Sequence, residues 1–247
     1  MMKTFALAVL LCGVLFTSSV AFAADRTHWT YSGEEGPEKW AKLAPEFVAC
    51  AGKNQSPINL TGFIEADLNP IKISYQAGGN EILNNGHTVQ VNYAAGSSIS
   101  VDGIQFELKQ FHFHAPSENH INGKSYAMEV HLVHADKDGN LAVVAIMFTE
   151  GAENSALAKI WSLIPKKAGG TNVPQPSFSV AQLLPSDHGY YRFNGSLTTP
   201  PCTEGVRWLV MKKPVSASKE QVEVFSHVMH HPNNRPVQPV NARPVLQ

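Results

Sequence analysis

The amino-acid sequence predicts a mainly β, single-domain protein with few helices. Three observations carry that expectation. Short runs of alternating apolar and polar residues recur between frequent Gly, Pro, Asn and Ser positions, which is the punctuation of a sheet-rich domain. One run, Leu141 to Phe148, is apolar at every position, as a strand covered on both faces is. Only two windows show the period of an amphipathic helix, and there is no internal repeat and no low-complexity linker.

Taken in chain order, Met1-Met2-Lys3 is a short basic opening, Phe5 to Phe16 an apolar run and Ala21-Phe22-Ala23 a small-residue cleavage pattern. This reads as a secretory signal peptide over residues 1–23, with cleavage after Ala23. The apolar run is too short for a mature anchor, and no later segment reaches the roughly 18 apolar residues of a membrane helix. A periplasmic or secreted mature protein without membrane insertion is therefore expected. Cys12 lies inside the apolar run without the small residues that precede a lipidated cysteine, and it leaves with the leader. Residues 24–247 form the mature domain, 224 residues (247 minus 23), enough for one sizeable core. Without Lys3 it carries 18 basic and 20 acidic residues, a formal charge of -2. Nothing in that balance recommends nucleic acid or acidic lipid as a partner. Cys50 and Cys202 are an even pair in an oxidising compartment, so a disulfide is expected.

Ile71–Tyr75, Thr88–Tyr93, Ser98–Val101 and Phe106–His114 read as short alternating strands, and Leu141–Phe148 as a central one. Helices are expected from about Ser155 to Ile164, with Leu157, Ile160, Trp161 and Ile164 on one face before Pro165, and from Ser218. Ser218 and Gln221 there have capping-box spacing, and Val222, Phe225 and Met229 recur on one side. His227 and His231 fall four apart on this second helix, and an exposed helix end explains them better than a metal does.

The chemistry concentrates between Gln110 and His134. In an extended strand His112 and His114 share a face, as do Glu129, His131 and Val133 on the next segment. The turn material Asn119–Lys124, with Asn122-Gly123 at its centre, brings the two strands side by side. Three imidazoles then converge without a fourth protein ligand, the form of a catalytic zinc site whose open position holds water. Gln110 and Glu129 have the parity to act as acceptors that orient these imidazoles. His134 has the opposite parity and reads as structural, and His120 as a solvated turn residue.

Several stretches then meet a family pattern in order: QSPIN (Gln55–Asn59), LNNGHTVQV (Leu83–Val91), FHFHAPSEN, EVHLVHAD, LAVVAIMF, GSLTTPPCTEGVRW (Gly195–Trp208) and NNRPVQPVNAR (Asn233–Arg243). Over essentially the whole mature chain the sequence resembles an α-class carbonic anhydrase of the bacterial, exported type. The resemblance implies a large, twisted, mostly antiparallel central sheet with a few short peripheral helices, and reversible hydration of carbon dioxide to bicarbonate and a proton by a zinc-bound hydroxide. The Zn2+ ligands would be His112, His114 and His131. Thr198 matches the gatekeeping threonine, Glu118 its buried carboxylate partner and His87 the proton shuttle. That role suits an exposed imidazole of ordinary pKa; on residues alone, His87 is a solvated turn residue after a type I′ Asn-Gly. Val133, Val143, Leu197, Val206 and Trp208 match the apolar wall of the substrate site, and for the last four ordinary core packing explains the residue type equally well. Tyr31, Asn85, Gln90 and Thr199 match polar positions of the solvent network. Ser56-Pro57 and Pro200-Pro201 would be cis, and the resemblance admits a homodimer.

The chain departs from many animal members at Ala115, where Trp is usual, and at Asn119, where His is common. Two other classes compete. A cupin-type oxygenase is suggested by His112-x-His114-xxx-Glu118 with Gly123, but its second motif is missing. A non-catalytic metal-binding protein is suggested by eleven histidines, which are too dispersed to form a chelating tract.

Overall fold

The computed structural model describes residues 27–247, so the expected signal peptide lies outside the described residues. Among the described residues no helix is long and apolar enough to cross a membrane. An N-terminal lobe of 3-10 turns (Gly33–Glu35, Pro45–Ala51) and a short helix α1 (Trp40–Leu43) precedes the sheet. The chain continues through β1 (Asn59–Leu60), β2 (Lys72–Ser74), β3 (Gly79–Asn84), β4 (Val89–Tyr93), β5 (Ser98–Val101), β6 (Ile104–His114), β7 (His120–Ile121), β8 (Met128–Ala135) and β9 (Leu141–Glu150). After α2 (Ser155–Trp161) come β10 (Thr171–Asn172), β11 (Tyr190–Ser196), β12 (Glu204–Met211), β13 (Val215–Ala217) and α3 (Lys219–Met229).

Eleven strands form one mixed sheet along the path β10-β3-β4-β6-β8-β9-β12-β11, with β13 beside β9 and with β2 and β5 at its side. All its pairings are antiparallel except those of β9 with β12 and β13. β9 is central because both of its faces are covered. Ala142, Val144, Ile146 and Phe148 enter one apolar cluster, and Val143, Ala145 and Met147 the other. β6 and β8 instead divide their faces: Phe111, Phe113, Val130 and Leu132 point into the first cluster, leaving His112, His114, Glu129 and His131 on the opposite parity.

The helices brace the first cluster. α3 begins in the expected capping box, with the Ser218 side chain and Gln221 exchanging hydrogen bonds with each other's backbone. Its Phe225 and Met229 are buried, and Trp161 of α2 donates its indole N–H to the Gln221 carbonyl at 2.8 Å. α2 is capped by Asn154 and ends at Trp161, short of Ile164. Its last turns tighten to Leu163→Ile160 and Ile164→Trp161 bonds, the 3-10 spacing common at helix ends. α3 ends at Met229 with His230 left-handed at φ 63°, so His231 lies past the helix and is not one turn from His227.

The turn between β6 and β8 also differs from expectation. Asn122 and Gly123 have φ of 51° and 78°, and Ile121 and Lys124 exchange backbone bonds at 3.0 Å around them, a primed two-residue turn. His120, however, is half-buried in β7, which pairs parallel with β1. The Cys50–Cys202 disulfide is formed, and Ser56-Pro57 and Pro200-Pro201 are cis, as are Ala115-Pro116 and Gln175-Pro176.

Candidate active site

His112 stands directly opposite His131 in the β6–β8 ladder, and His114 opposite Glu129. A ligand atom from each of the three imidazoles lies within 4.8 Å of the others. Each ring is held by an acceptor at its other nitrogen. His112 Nδ1 meets Gln110 Oε1 at 2.9 Å, His114 Nδ1 the Asn233 carbonyl at 2.7 Å and His131 Nε2 the Glu129 carboxylate at 2.8 Å. These acceptors require N–H at those nitrogens, which leaves lone pairs on His112 Nε2, His114 Nε2 and His131 Nδ1. Burial lowers the pKa of all three imidazoles, so they are neutral, the form that binds metal. His114 Nε2 is buried without a hydrogen-bond partner among the described residues. A buried lone pair of this kind is what a metal cation satisfies.

Glu129 is saturated. Besides the His131 N–H it accepts from the amides of Glu118 and Asn119 and from Asn119 Nδ2, each at 2.8 Å. Asn119 thus supplies a donor to the orienting carboxylate, and its own Oδ1 accepts from the Ile58 amide.

Glu118 is fully buried and is no surface acid. Its Oε1 accepts from the Arg235 amide at 2.8 Å, and Oε2 lies 3.5 Å from His114 Nε2 and 3.9 Å from His131 Nδ1. With both rings neutral these are not ion pairs. Burial pushes the carboxyl up to about 8, against the Arg235 amide and the nearby Thr198 side chain, which pull it down. Thr198 and Thr199 sit in the turn after β11, closed by the Cys202 amide donating to the Thr199 carbonyl at 2.8 Å.

Adjoining strands bring the apolar side chains together. Val133 pairs with Val143 across β8–β9, Val143 with Trp208 across β9–β12, and Val133, Val143, Val206 and Trp208 share one cluster with Leu197 packed against it. The Trp208 ring meets His131 edge-on with centroids 4.9 Å apart, so this wall abuts the triad.

A family model described as eukaryotic-type carbonic anhydrase matches residues 35–247. A carbonic anhydrase of Pectobacterium carotovorum is 48% identical over 238 residues, covering 96% of each chain. The chain belongs to the α-class carbonic anhydrases. Among solved structures, the α-carbonic anhydrase of Thermovibrio ammonificans with sulfanilamide superposes with a TM-score of 0.88 at 48% identity, covering 90% of this chain and 99% of that one. A hyperthermostable carbonic anhydrase from an active hydrothermal vent chimney gives 0.87 at 55%, covering 89% and 99%.

The position matching the carbonic anhydrase shuttle departs from expectation in its surroundings. His87 is half-buried rather than exposed, because its ring stacks on Trp29 with centroids 3.8 Å apart and planes 9° from parallel. Its pKa is lowered, first by burial and then by the nearby His28 and His231. The preceding turn is not type I′, since only Gly86 has positive φ, at 87°. Asn85 Oδ1 accepts from the amides of His87 and Thr88 at 2.9 and 2.8 Å, which commits that oxygen to holding the turn. Gln90 faces His112 across β4–β6 and donates to Asn92 at 2.7 Å. Tyr31 packs edge-on to His87 at 6.5 Å between ring centroids, and burial with the Glu118 charge raises its pKa.

Two residues without an individual sequence signal complete the site. Asn233 orients His114, accepts from the Ala115 amide through Oδ1 and donates through Nδ2 to the carbonyls of His87 and Phe113. Arg235, 2% exposed, donates to Gln55 Oε1 and to the Ser56 and Cys50 carbonyls. Both fall within the NNRPVQPVNAR stretch, whose order in the chain was the available signal.

Proposed function

We propose that this carbonic anhydrase hydrates carbon dioxide reversibly to bicarbonate and a proton, with Zn2+ held by His112 Nε2, His114 Nε2 and His131 Nδ1. The observation that carries the reading is the convergence of three neutral imidazoles whose tautomers are fixed from behind. When bound, zinc acts as a Lewis acid that makes a nucleophile from water at neutral pH. Gln110, the Asn233 carbonyl and Glu129 keep the lone pairs aimed inward. Glu118 would be ionised with a cation bound at the three imidazoles. An ionised Glu118 can only accept, so Thr198 donates to it and keeps its lone pairs to orient the proton of the attacking oxygen. CO2 lacks a net dipole, so the wall of Val133, Val143, Leu197, Val206 and Trp208 suits it by shape and apolarity. His87 takes the product proton outward, with Tyr31, Asn85, Gln90 and Thr199 around the route.

We further propose export of the mature domain, supported by the disulfide and the leader-like N-terminal sequence. Stopped-flow CO2 hydration together with zinc analysis of the purified mature protein tests the central reading. One zinc per chain with hydration abolished by chelation is expected; full activity in metal-free protein would remove it.

A further inference from the structure

We infer that the cavity between the β11–β12 ribbon, the β8–β9 turn and the C-terminal segment is a second binding site, built around Arg207, for a planar carboxyl monoanion such as bicarbonate or an organic carboxylate. The cavity has a volume of about 710 Å3 and its lining includes Arg192, Arg207, Arg243, Phe106 and Asp136. Val206 and Trp208 belong to the wall beside the triad, so strand alternation sends Arg207 to the other face of β12. The site is therefore distinct from the metal centre.

The three guanidinium groups are not equivalent. Arg192 is ion-paired with Asp102. Arg243 donates through Nε, Nη1 and Nη2 to the carbonyls of Val240, Asn194, Gln55 and Pro239. Arg207 lies over the Phe106 ring at 5.4 Å, and its Nη1 is buried with no hydrogen-bond partner among the described residues. The residue as a whole is half-buried at the cavity wall, so an anion offering in-plane oxygens takes the accessible edge of the guanidinium fork. The cation–π contact with Phe106 restrains the guanidinium on that side. Asp136 sets the charge class. Its oxygens are used within the turn by the Asp138 and Asn140 amides and by Asn140 Nδ2, so it offers repulsion without a free contact. Together with Asp102, whose charge also couples to Arg207, that disfavours dianions such as sulfate or hydrogen phosphate and leaves a monoanion as the ligand.

Full-length mature protein labelled with 15N-arginine tests this, with the Arg207 side-chain resonance assigned by its loss in Arg207→Gln. Sodium bicarbonate, acetate or chloride is added at fixed pH and ionic strength. A saturable shift of the Arg207 resonance with half-saturation at about millimolar anion is expected for bicarbonate or acetate and not for chloride. Response to bicarbonate alone identifies the reaction's own product as the ligand, and response to acetate as well identifies carboxylates generally. A linear shift, or an equal one with chloride, means an adventitious ion only and overturns the proposal. Arg207→Lys keeps the charge without the fork and is expected to bind at least about tenfold more weakly; unchanged affinity in that variant also overturns it. The readout sits on Arg207 and not on turnover, so its failure leaves the catalytic reading standing.

Discussion

At the scale of single residues the site depends on pairs: each imidazole and the acceptor behind it. Removing an outer partner from a metal ligand typically costs 10–100-fold in affinity or activity, so removing a ligand should cost more. His131→Ala is expected to remain folded, bind zinc weakly and lose CO2 hydration by more than about 100-fold; stoichiometric zinc and full activity would remove His131 from the ligand set. His87 is tested through proton transfer. An acid of pKa about 7 releases protons to water at no more than roughly 10³ s⁻¹, since recapture is limited to about 10¹⁰ M⁻¹s⁻¹. Faster turnover needs a carrier. His87→Ala should lower kcat in dilute buffer, leave kcat/KM nearly unchanged and recover kcat with added imidazole; an equal loss of both parameters would assign the proton to another route. The lowered pKa of His87 keeps it neutral and able to accept at pH 7. Parity in the sequence was enough to bring the three histidines, Gln110 and Glu129 together. It was silent on the partner of His114, because that acceptor is a backbone carbonyl 119 positions away, and on the Trp29 stack that half-buries His87, because nothing local links Trp29 to the 84–88 turn.

At the scale of elements, what the sequence showed depended on whether an element's cause is local. The α3 capping box is local and was legible from Ser218 and Gln221. Ser218→Ala removes one side of it and should cost about 1 kcal/mol, lowering Tm by roughly 2–4 °C in a protein of this size; calorimetry showing no change would deny the cap a role in stability. The short strands β1, β7, β10 and β13 were not legible, since two or three residues become strand only by pairing with distant segments. His134 ties β8 to its neighbours on the face away from the triad, bonding the Tyr75 hydroxyl at 2.8 Å and the Ala142 carbonyl at 3.3 Å. Burial lowers its pKa from 6.5 to about 4. The unfolded chain therefore takes up a proton near pH 6.5 that the folded chain resists until about 4, so stability falls as pH falls across that window. The loss from this residue approaches about 3 kcal/mol. Denaturant titrations at pH 7 and pH 4 should show a smaller difference in His134→Gln than in the parent; equal differences would mean His134 does not set the acid sensitivity.

At the scale of the whole molecule, the turn that carries Thr198 and the N-terminal lobe are joined covalently. Cys50 lies in the last turn of the Pro45–Ala51 segment of the lobe and Cys202 follows Thr198 by four positions, so their disulfide closes a span of 152 positions. The pairing itself followed from the count of mature cysteines, whereas its position beside the Thr198 turn required the fold. Other bonds hold the same region: Gln55 Nε2 donates to the Cys202 carbonyl at 3.1 Å, and Arg235 of the C-terminal segment donates from Nη2 to the Cys50 carbonyl and from its amide to Glu118. In the chain-entropy model a closed loop of this length stabilises the fold by about 5 kcal/mol at most. Part of that restraint is duplicated by the buried Arg235 and Gln55 bonds, which persist when the sulfurs separate, so reduction should loosen the lobe without unfolding the sheet at room temperature. Dithiothreitol is therefore expected to lower Tm by several degrees, and Cys50→Ser with Cys202→Ser to reproduce that shift and to respond no further to reductant. A reduced protein with unchanged Tm, or a double variant still sensitive to dithiothreitol, would show that the bond between lobe and turn does not stabilise the molecule.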